Sequence, residues 1–434
     1  MALSWRRIFL CLTATLTVSN TLVQQSISGE QQVFDTSIAD APQYVIERLI
    51  INGNDTVSSE LICSALFLKV GDVFHEEQAR LSRLKLLGLG LFSEVTMRLD
   101  RGSRRGLIFW IIIVRERGNL LINGAFLGIN EQKQPFGGLS WSHRNVRDDG
   151  QAVSLDLTLG KAGGRGVRFQ WIDPSMTRHR LSLDATCWWS QTRDEFRGEY
   201  ANMNVRYSRI GGHIGLGYQN RGFSTFQAYL RTESINEQQR SLGDWQGKYL
   251  FPKHKSILSS LTVSVEWDQR NDVFLPSDGT RLAFWAQFAS SALGSDFDYA
   301  KFIGTFEFSH PTQRAQYLHG KLEIGGILGA APIFEQFYES QAVRGQRYAP
   351  FLGVTFEEEN PKEVLGAVNV EYHWLYFQKR TGFLYKAETY LFFDFGAVFD
   401  SEEVERIPVT TAVGPGLIFD TDIGSIRIAL GFFL

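Results

Sequence analysis

From about residue 119 to the end of the chain, apolar residues recur at every second position, and they keep that period for some 300 residues. In Leu181-Ser182-Leu183-Asp184-Ala185-Thr186-Cys187 the odd positions are apolar and the even ones polar. Leu261, Val263, Val265 and Trp267 alternate in the same way with Thr262, Ser264, Glu266 and Asp268. Phe302, Phe306 and Phe308 oppose Lys301, Thr305 and Glu307, and Ile426, Ile428, Leu430, Phe432 and Leu434 share the last apolar face. Successive side chains of a strand point to opposite faces, so each segment is a strand with one apolar and one polar side.

A soluble sandwich shows the same alternation. Its persistence, the short intervening loops and the aromatics crowding the strand ends favour a lipid-facing sheet. The chain carries 33 Phe, 14 Tyr and 10 Trp. After the N-terminal leader no run of eighteen apolar residues occurs, so a membrane crossing has to be made with strands. Open sheet edges would leave backbone groups unpaired in hydrocarbon, so such a sheet has to close. The expected fold is therefore a membrane-spanning antiparallel β-barrel over residues 118–434. Fifteen segments can be read directly, among them 197–209 and 212–232, the latter with a break at Asn220-Arg221-Gly222. Residues 234–256 read as a long loop. Bacterial barrels have an even number of strands, which makes sixteen the expected count.

The N-terminus reads as a secretory leader. Arg6 and Arg7 precede Ile8-Phe9-Leu10-Cys11-Leu12 and a Thr/Ala/Leu run, giving a signal segment over 1–29. Three distant cysteines, Cys11, Cys63 and Cys187, suggest neither a disulfide framework nor a metal site. A net charge of −3 argues against nucleic acid as a partner.

Residues 41–117 have a different texture. Tyr44–Ile51 reads as a strand, and Asp55 or Thr56 can cap a short helix to about Leu68. His75–Gly88 gives a second helix, and Glu94–Leu99 and Leu107–Val114 two more strands. Two helices over a small sheet make a sufficient α+β core. The phrases Ile51-Asn52-Gly53-Asn54, Leu68–Phe74, Gly90–Val95 and Val114-Arg115-Glu116-Arg117 resemble, in that order, a POTRA domain. The resemblance implies a periplasmic module that binds extended polypeptide.

The second region resembles the Omp85 superfamily of outer-membrane insertases and translocases. Asn145 before Gly150 is similar to that family's first periplasmic turn. Asp268–Asn271 with Pro276 and Gly279 is similar to its Asp-x-Arg…Pro-x-x-Gly turn. Phe334–Tyr338 leads into Val343-Arg344-Gly345, the hallmark of its long sixth loop, and Glu371-Tyr372 follows. Phe392-x-Asp394-x-Gly396 matches its Phe-x-Asp-x-Gly strand, and Ile423–Arg427 resembles its Ile-Gly-Pro-x-Arg turn, with Ser425 in place of proline. The chain departs from the pattern in carrying one POTRA module and in ending at Leu434.

Alternation turns Asp394 and Glu371 towards the lumen if Phe393, Phe395, Val370 and Tyr372 face lipid. The resemblance implies a latch in which Arg344, flanked by Val343 and Gly345, reaches Asp394 first and Glu371 second. The eight histidines show no metal-ligand spacing, and no serine sits in a nucleophile elbow, so neither cofactor nor enzymatic activity is expected. The implied function is insertion of outer-membrane proteins, with a secretion pore or a passive channel as alternatives. The implied partners are outer-membrane lipid, unfolded or nascent polypeptides, and accessory periplasmic or lipoprotein subunits. The implied location is the outer membrane, with the POTRA module in the periplasm.

Overall fold

The computed structural model describes residues 44–118, 120–129, 135–146, 149–159, 164–174, 181–197, 202–220, 223–241, 252–273, 275–338, 342–343, 348–349, 354–355, 362–378, 384–401, 407, 409–421 and 424–433. The leader over 1–29 lies outside this set, as do Arg344 and Gly345. Val45–Leu434 forms one unit, and it contains two main sheets.

The smaller sheet has three strands, β1 (Val45–Asn52), β2 (Phe92–Arg101) and β3 (Leu107–Glu116), in the order β1-β3-β2. β1 runs parallel to β3 and β2 antiparallel to it. Helices α1 (Ser59–Ala65) and α2 (Glu76–Gly88) lie between β1 and β2 in sequence. Their apolar positions, including Ile62, Ala79, Leu86 and Leu87, close over Ile46, Phe92, Val95, Trp110 and Ile112. Mixed order and core follow the sequence reading. The start and end of α1 do not. Ser58 is its N-cap, accepting a hydrogen bond from Leu61 N–H at 3.2 Å, because Thr56 is used elsewhere. Glu116 accepts from the backbone N–H and the hydroxyl of Thr56 and from Val57 N–H. The helix ends at Ala65 so that Leu66 and Leu68 can enter the core from extended backbone. At the tip of β2–β3, Glu47 accepts from Ser103 Oγ and N–H, and these bonds hold its carboxyl below the ordinary range.

The larger sheet starts with β4 (Leu120–Ile129), β5 (Pro135–Arg144), β6 (Ala152–Leu159), β7 (Arg165–Asp173) and β8 (Leu181–Arg197). It continues through β9 (Asn202–Gln219), β10 (Ser224–Ser241), β11 (Lys255–Asp268), β12 (Gly279–Ala289), β13 (Tyr299–Gln313) and β14 (Gln316–Gly329). A two-residue hairpin, β15 (Tyr348–Ala349) with β16 (Val354–Thr355), lies in the insertion that follows. The sheet resumes with β17 (Val364–Gln378), β18 (Leu384–Phe399), β19 (Thr410–Thr421), β20 (Gly424–Ala429) and β21 (Phe432–Phe433). Neighbours follow chain order from β4 to β20, and β21 also pairs with β19.

β20 and β21 keep one register against β19, with Gly416 opposite Ala429 and Ala412 opposite Phe433. They are two pieces of one terminal strand, interrupted where Leu430 faces Pro415. The sixteenth leg expected from even strand number is not separately present among the described residues. Cα atoms of β20 come within 8 Å of β4, which brings the sheet round into a barrel. Among the described residues no hydrogen-bonded ladder joins these two strands.

Two boundaries differ from the sequence reading. Gly211-Gly212 does not end a strand, and β9 runs through both residues. A Cβ at Gly211 would collide with Glu233 on β10, so glycine here permits close packing between strands and does not mark a turn. The expected loop at 234–256 is also shorter, because β10 extends to Ser241 and β11 begins at Lys255.

The two faces separate as alternation requires. Ile210, Ile214, Leu216, Phe226, Leu230, Leu282, Phe284, Leu391, Phe393 and Phe395 lie exposed on the outside. Between them, polar residues point inward and pair: Asp156 with Arg168 at 2.7 Å, and Arg270 and Arg281 with Glu307 at 2.8 and 2.9 Å. Among the described residues no helix is long and apolar enough to cross a membrane. A continuous apolar outer belt of this extent is what a lipid-facing barrel needs. Phe284 sits mid-strand on that belt. Phe284→Arg is expected to cost the barrel about 2–4 kcal/mol in a bilayer. Reversible urea unfolding in lipid vesicles measures it, and a change within about 0.5 kcal/mol would mark an ordinary water-facing position.

Candidate functional site

The chain that leaves β14 turns into the barrel. Ala331, Ile333, Phe337 and Tyr338 are buried, as are Ala342 and Val343 further along. All six belong to the same apolar cluster as Tyr207 on β9, Ile235 on β10, Leu365 on β17, and Tyr390 and Phe392 on β18. An apolar lead-in of this kind has no reason to stay in water, and the lumen gives it cover. Local bonds shape it. Gln336 Nε2 donates to the Ala331 carbonyl at 3.1 Å, and Tyr338 Oη to the Ile333 carbonyl at 2.9 Å. Phe337 and Lys362 exchange backbone hydrogen bonds of 2.8 Å each, tying the way in to the way out.

One wall meets this segment with charge. Glu335 lies 2.8 Å from Arg231 on β10, which also reaches Glu233 at 2.8 Å. Arg209 on β9 forks onto both oxygens of Glu233. Lys301 on β13 donates to the Glu335 carbonyl at 2.6 Å, and its ammonium is 3.8 Å from the Glu335 carboxylate. Phe334 covers the Arg209 guanidinium at 3.8 Å and lies 5.9 Å from the Tyr207 ring. Buried charges persist only when paired in this way.

The opposite wall meets the segment with a gap. A Cβ at Gly396 on β18 would lie 2.6 Å from the Ala342 Cβ, so the missing side chain is the room the loop occupies. Asn369 Nδ2, on β17, points to the Ala342 carbonyl at 3.5 Å. Asp394 is opposite Asn369 in the β17–β18 register and fully buried. Phe393 and Phe395 are exposed on either side of it, as alternation required. Val343, Phe392, Asp394 and Gly396 thus share the interior of the barrel. The latch residues Arg344 and Gly345 lie outside the described residues.

Glu371 also faces inward, where it meets two partners that the sequence did not suggest. Its carboxylate lies 2.7 Å from His373 Nε2 and accepts from Arg427 on β20 at 3.0 Å. His373 Nδ1 lies 3.2 Å from Glu388, which accepts from Tyr317 at 2.6 Å and pairs with Lys386. The network runs from the terminal strand across to β14. Alternation had placed Lys301 on a polar face, but Arg209, Arg231 and Glu233 were not singled out, and neither was the convergence on Glu335. Among the described residues no group of acidic, histidine and cysteine side chains is arranged to hold a metal.

The smaller sheet meets the turn end of the barrel. Arg117 reaches Asp272, after β11, at 2.7 Å and Asp420 on β19 at 3.8 Å, while its Nε donates to the Phe92 carbonyl. Asn145 closes the β5–β6 turn by accepting from Gly150 N–H, and its Nδ2 donates to the Thr56 carbonyl at 2.9 Å. Lys85 on α2 donates to the Asn220 carbonyl beyond β9 at 3.4 Å.

The model of the Omp85 superfamily domain matches residues 145–434. The chain belongs to the Omp85 superfamily of outer-membrane proteins. It is 22% identical to the outer membrane protein assembly factor BamA of Nitratidesulfovibrio vulgaris, over 93% of this chain and 51% of that protein. It is 23% identical to BamA of Neorickettsia risticii, over 63% of this chain and 36% of that one. The chain thus spans about half or less of the length of these relatives. Two solved structures share its fold. Haemophilus ducreyi BamA lacking POTRA domains 1–3 gives a TM-score of 0.53 at 12% identity, covering 90% of this chain and 81% of that one. Escherichia coli CdiB gives 0.60 at 13% identity, covering 91% and 73%.

For the Omp85 loop, Gly396→Val is the sharpest steric probe. The added side chain claims the volume of Ala342, and overpacking costs about 1–3 kcal/mol. A folded barrel with faster protease cleavage between residues 339 and 361 is the expected result, read by mass spectrometry. Cleavage at the parental rate would show that the loop does not depend on this contact.

Proposed function

We propose that the protein is an assembly factor of an outer membrane, which receives extended polypeptide on its N-terminal module and aids insertion into the bilayer. In this reading residues 41–117 are a POTRA domain in the periplasm, and residues 118–434 form a barrel of the sixteen-strand class. Outer-membrane lipid and unfolded or nascent polypeptides are the proposed partners, with accessory periplasmic or lipoprotein subunits beside them. No cofactor or enzymatic step is invoked.

The observation that carries the proposal is the seam. β20 lies within 8 Å of β4, yet among the described residues no ladder joins them. A client strand must have its backbone groups paired before it meets hydrocarbon. An edge whose own pairing is light can supply those partners, since strand addition draws its affinity from main-chain bonds. The names of the BamA relatives support the same reading. The apolar segment inside the barrel speaks for a gated device over a standing channel, because Phe337, Ala342 and Val343 occupy volume that a solute would need.

We also assign to Arg344 the role of latch against Asp394, with Glu371 behind it. Removing one member of a buried ion pair costs about 3–5 kcal/mol. Arg344→Ala and Asp394→Ala should therefore sharply lower folded-barrel yield and client insertion, while Lys133→Ala stays within about 0.5 kcal/mol of the parent. Equal effects of all three would remove the latch.

The function itself is tested by reconstitution of the full chain into liposomes with a urea-denatured barrel client. Faster folding of the client into the bilayer supports insertion. Passage of a soluble passenger without insertion would move the assignment to secretion. Solute leakage alone would sink both.

A further inference from the structure

We propose that Glu335 and Arg231 form a second clasp on the long loop, so that the loop is a strut fixed to both sides of the barrel and not a strap held at one end. The first attachment is at β17–β18, where Ala342 fills the space beside Gly396. The second is at β9, β10 and β13, where Arg209, Arg231 and Lys301 gather around Glu335 and Phe334. Along the sheet, β10 and β18 are six strands apart among the described residues. The loop leaves from β14, between them, so neither attachment is a simple continuation of its parent strand.

Charge balance makes the second attachment specific. Among the described residues the wall brings three cations, Arg209, Arg231 and Lys301, into the cluster; Glu233 pairs with the two arginines, and Glu323 on β14 acts on Lys301. The wall is an electropositive socket, and Glu335 is the loop's matching anion. Phe334 adds an aromatic face over Arg209, and Phe337 lies 4.9 Å from the Lys301 ammonium. Phe334 thus addresses Arg209 while Glu335 and Phe337 address Arg231 and Lys301, which fixes the segment in rotation as well as position. A chain pinned at two points across a cylinder sets the distance between its walls. Glu335 is on this account a positioning residue: it fixes where the loop lies in the lumen.

This inference rests on the reading of the loop as a gating element, and its test is chosen to be independent of any client. A single cysteine at Ala331, buried in the parent, is labelled with maleimide in the folded, lipid-reconstituted full chain bearing Cys11→Ser, Cys63→Ser and Cys187→Ser, and bilayer conductance is recorded alongside. Glu335→Gln keeps the shape but removes the loop's anion from Arg231 and Lys301. Losing one charge-assisted hydrogen bond shifts a local opening equilibrium by about tenfold or more. Labelling at position 331 is therefore expected to rise at least about tenfold, with higher conductance, while Glu335→Asp remains near the parent. Asp156→Asn, which removes a lumen ion pair away from the loop, should move neither readout. If Glu335→Gln does not fold, Phe334→Leu takes its place: it removes the ring over Arg209 without altering charge and should raise both readouts. Parental labelling and conductance in the folded variant, or the same rise in Asp156→Asn, would overturn the second clasp.

Discussion

A backbone amide inside a lipid bilayer finds no partner except another part of the protein, and this constraint organises the whole structure. It demands a sheet that comes round on itself, and it separates two kinds of side chain on every strand. Phe284, Leu391, Phe393 and Phe395 go out; Glu307, Glu371 and Asp394 go in. Once the charges are turned inward they need partners, and the ion pairs of Arg168, Arg209, Arg270 and Arg281 follow from that need. The interior then holds enough organised charge to capture a loop. Lumen chemistry is thus a by-product of lipid contact outside.

The same constraint explains which parts were legible beforehand. A period of two needs only the residue itself, so the outward apolar positions and the inward turn of Asp394 could be read directly. Strand ends could not, where glycine has two uses. Gly211-Gly212 looks like a stop in sequence, yet it lets β9 and β10 pack closely at Glu233, a fact that belongs to the neighbouring strand. The first turn of the small α+β module misled for a similar reason. Thr56 has the chemistry of a helix cap, but Glu116, sixty residues away, takes its backbone N–H. Local rules fail where a distant partner competes.

The interior site divides along the same line. Val343, Phe392, Asp394 and Gly396 carry a family pattern and were found by it. Glu335 lies in the family-like lead-in to the loop, but Arg231, Arg209 and Lys301 carry no such pattern, and they meet it only because the loop turns inward against β9, β10 and β13. Glu371 is intermediate. Its inward direction was legible, but its contacts with His373 and Arg427 depend on where the last strand lies.

That last strand rests against an unusual neighbour. Pro415 on β19 has no N–H to give, and Leu430, opposite it, is where β20 breaks off before β21 resumes. Leu430 still donates to the Pro415 carbonyl at 3.0 Å, so the strand is stitched at that point by a single thread. Its two short ladders, six pairs before the break and two after it, are joined across that break by this one bond. The final stave of the barrel is therefore fastened in two stretches, and the proline between them sets where one ends and the other begins.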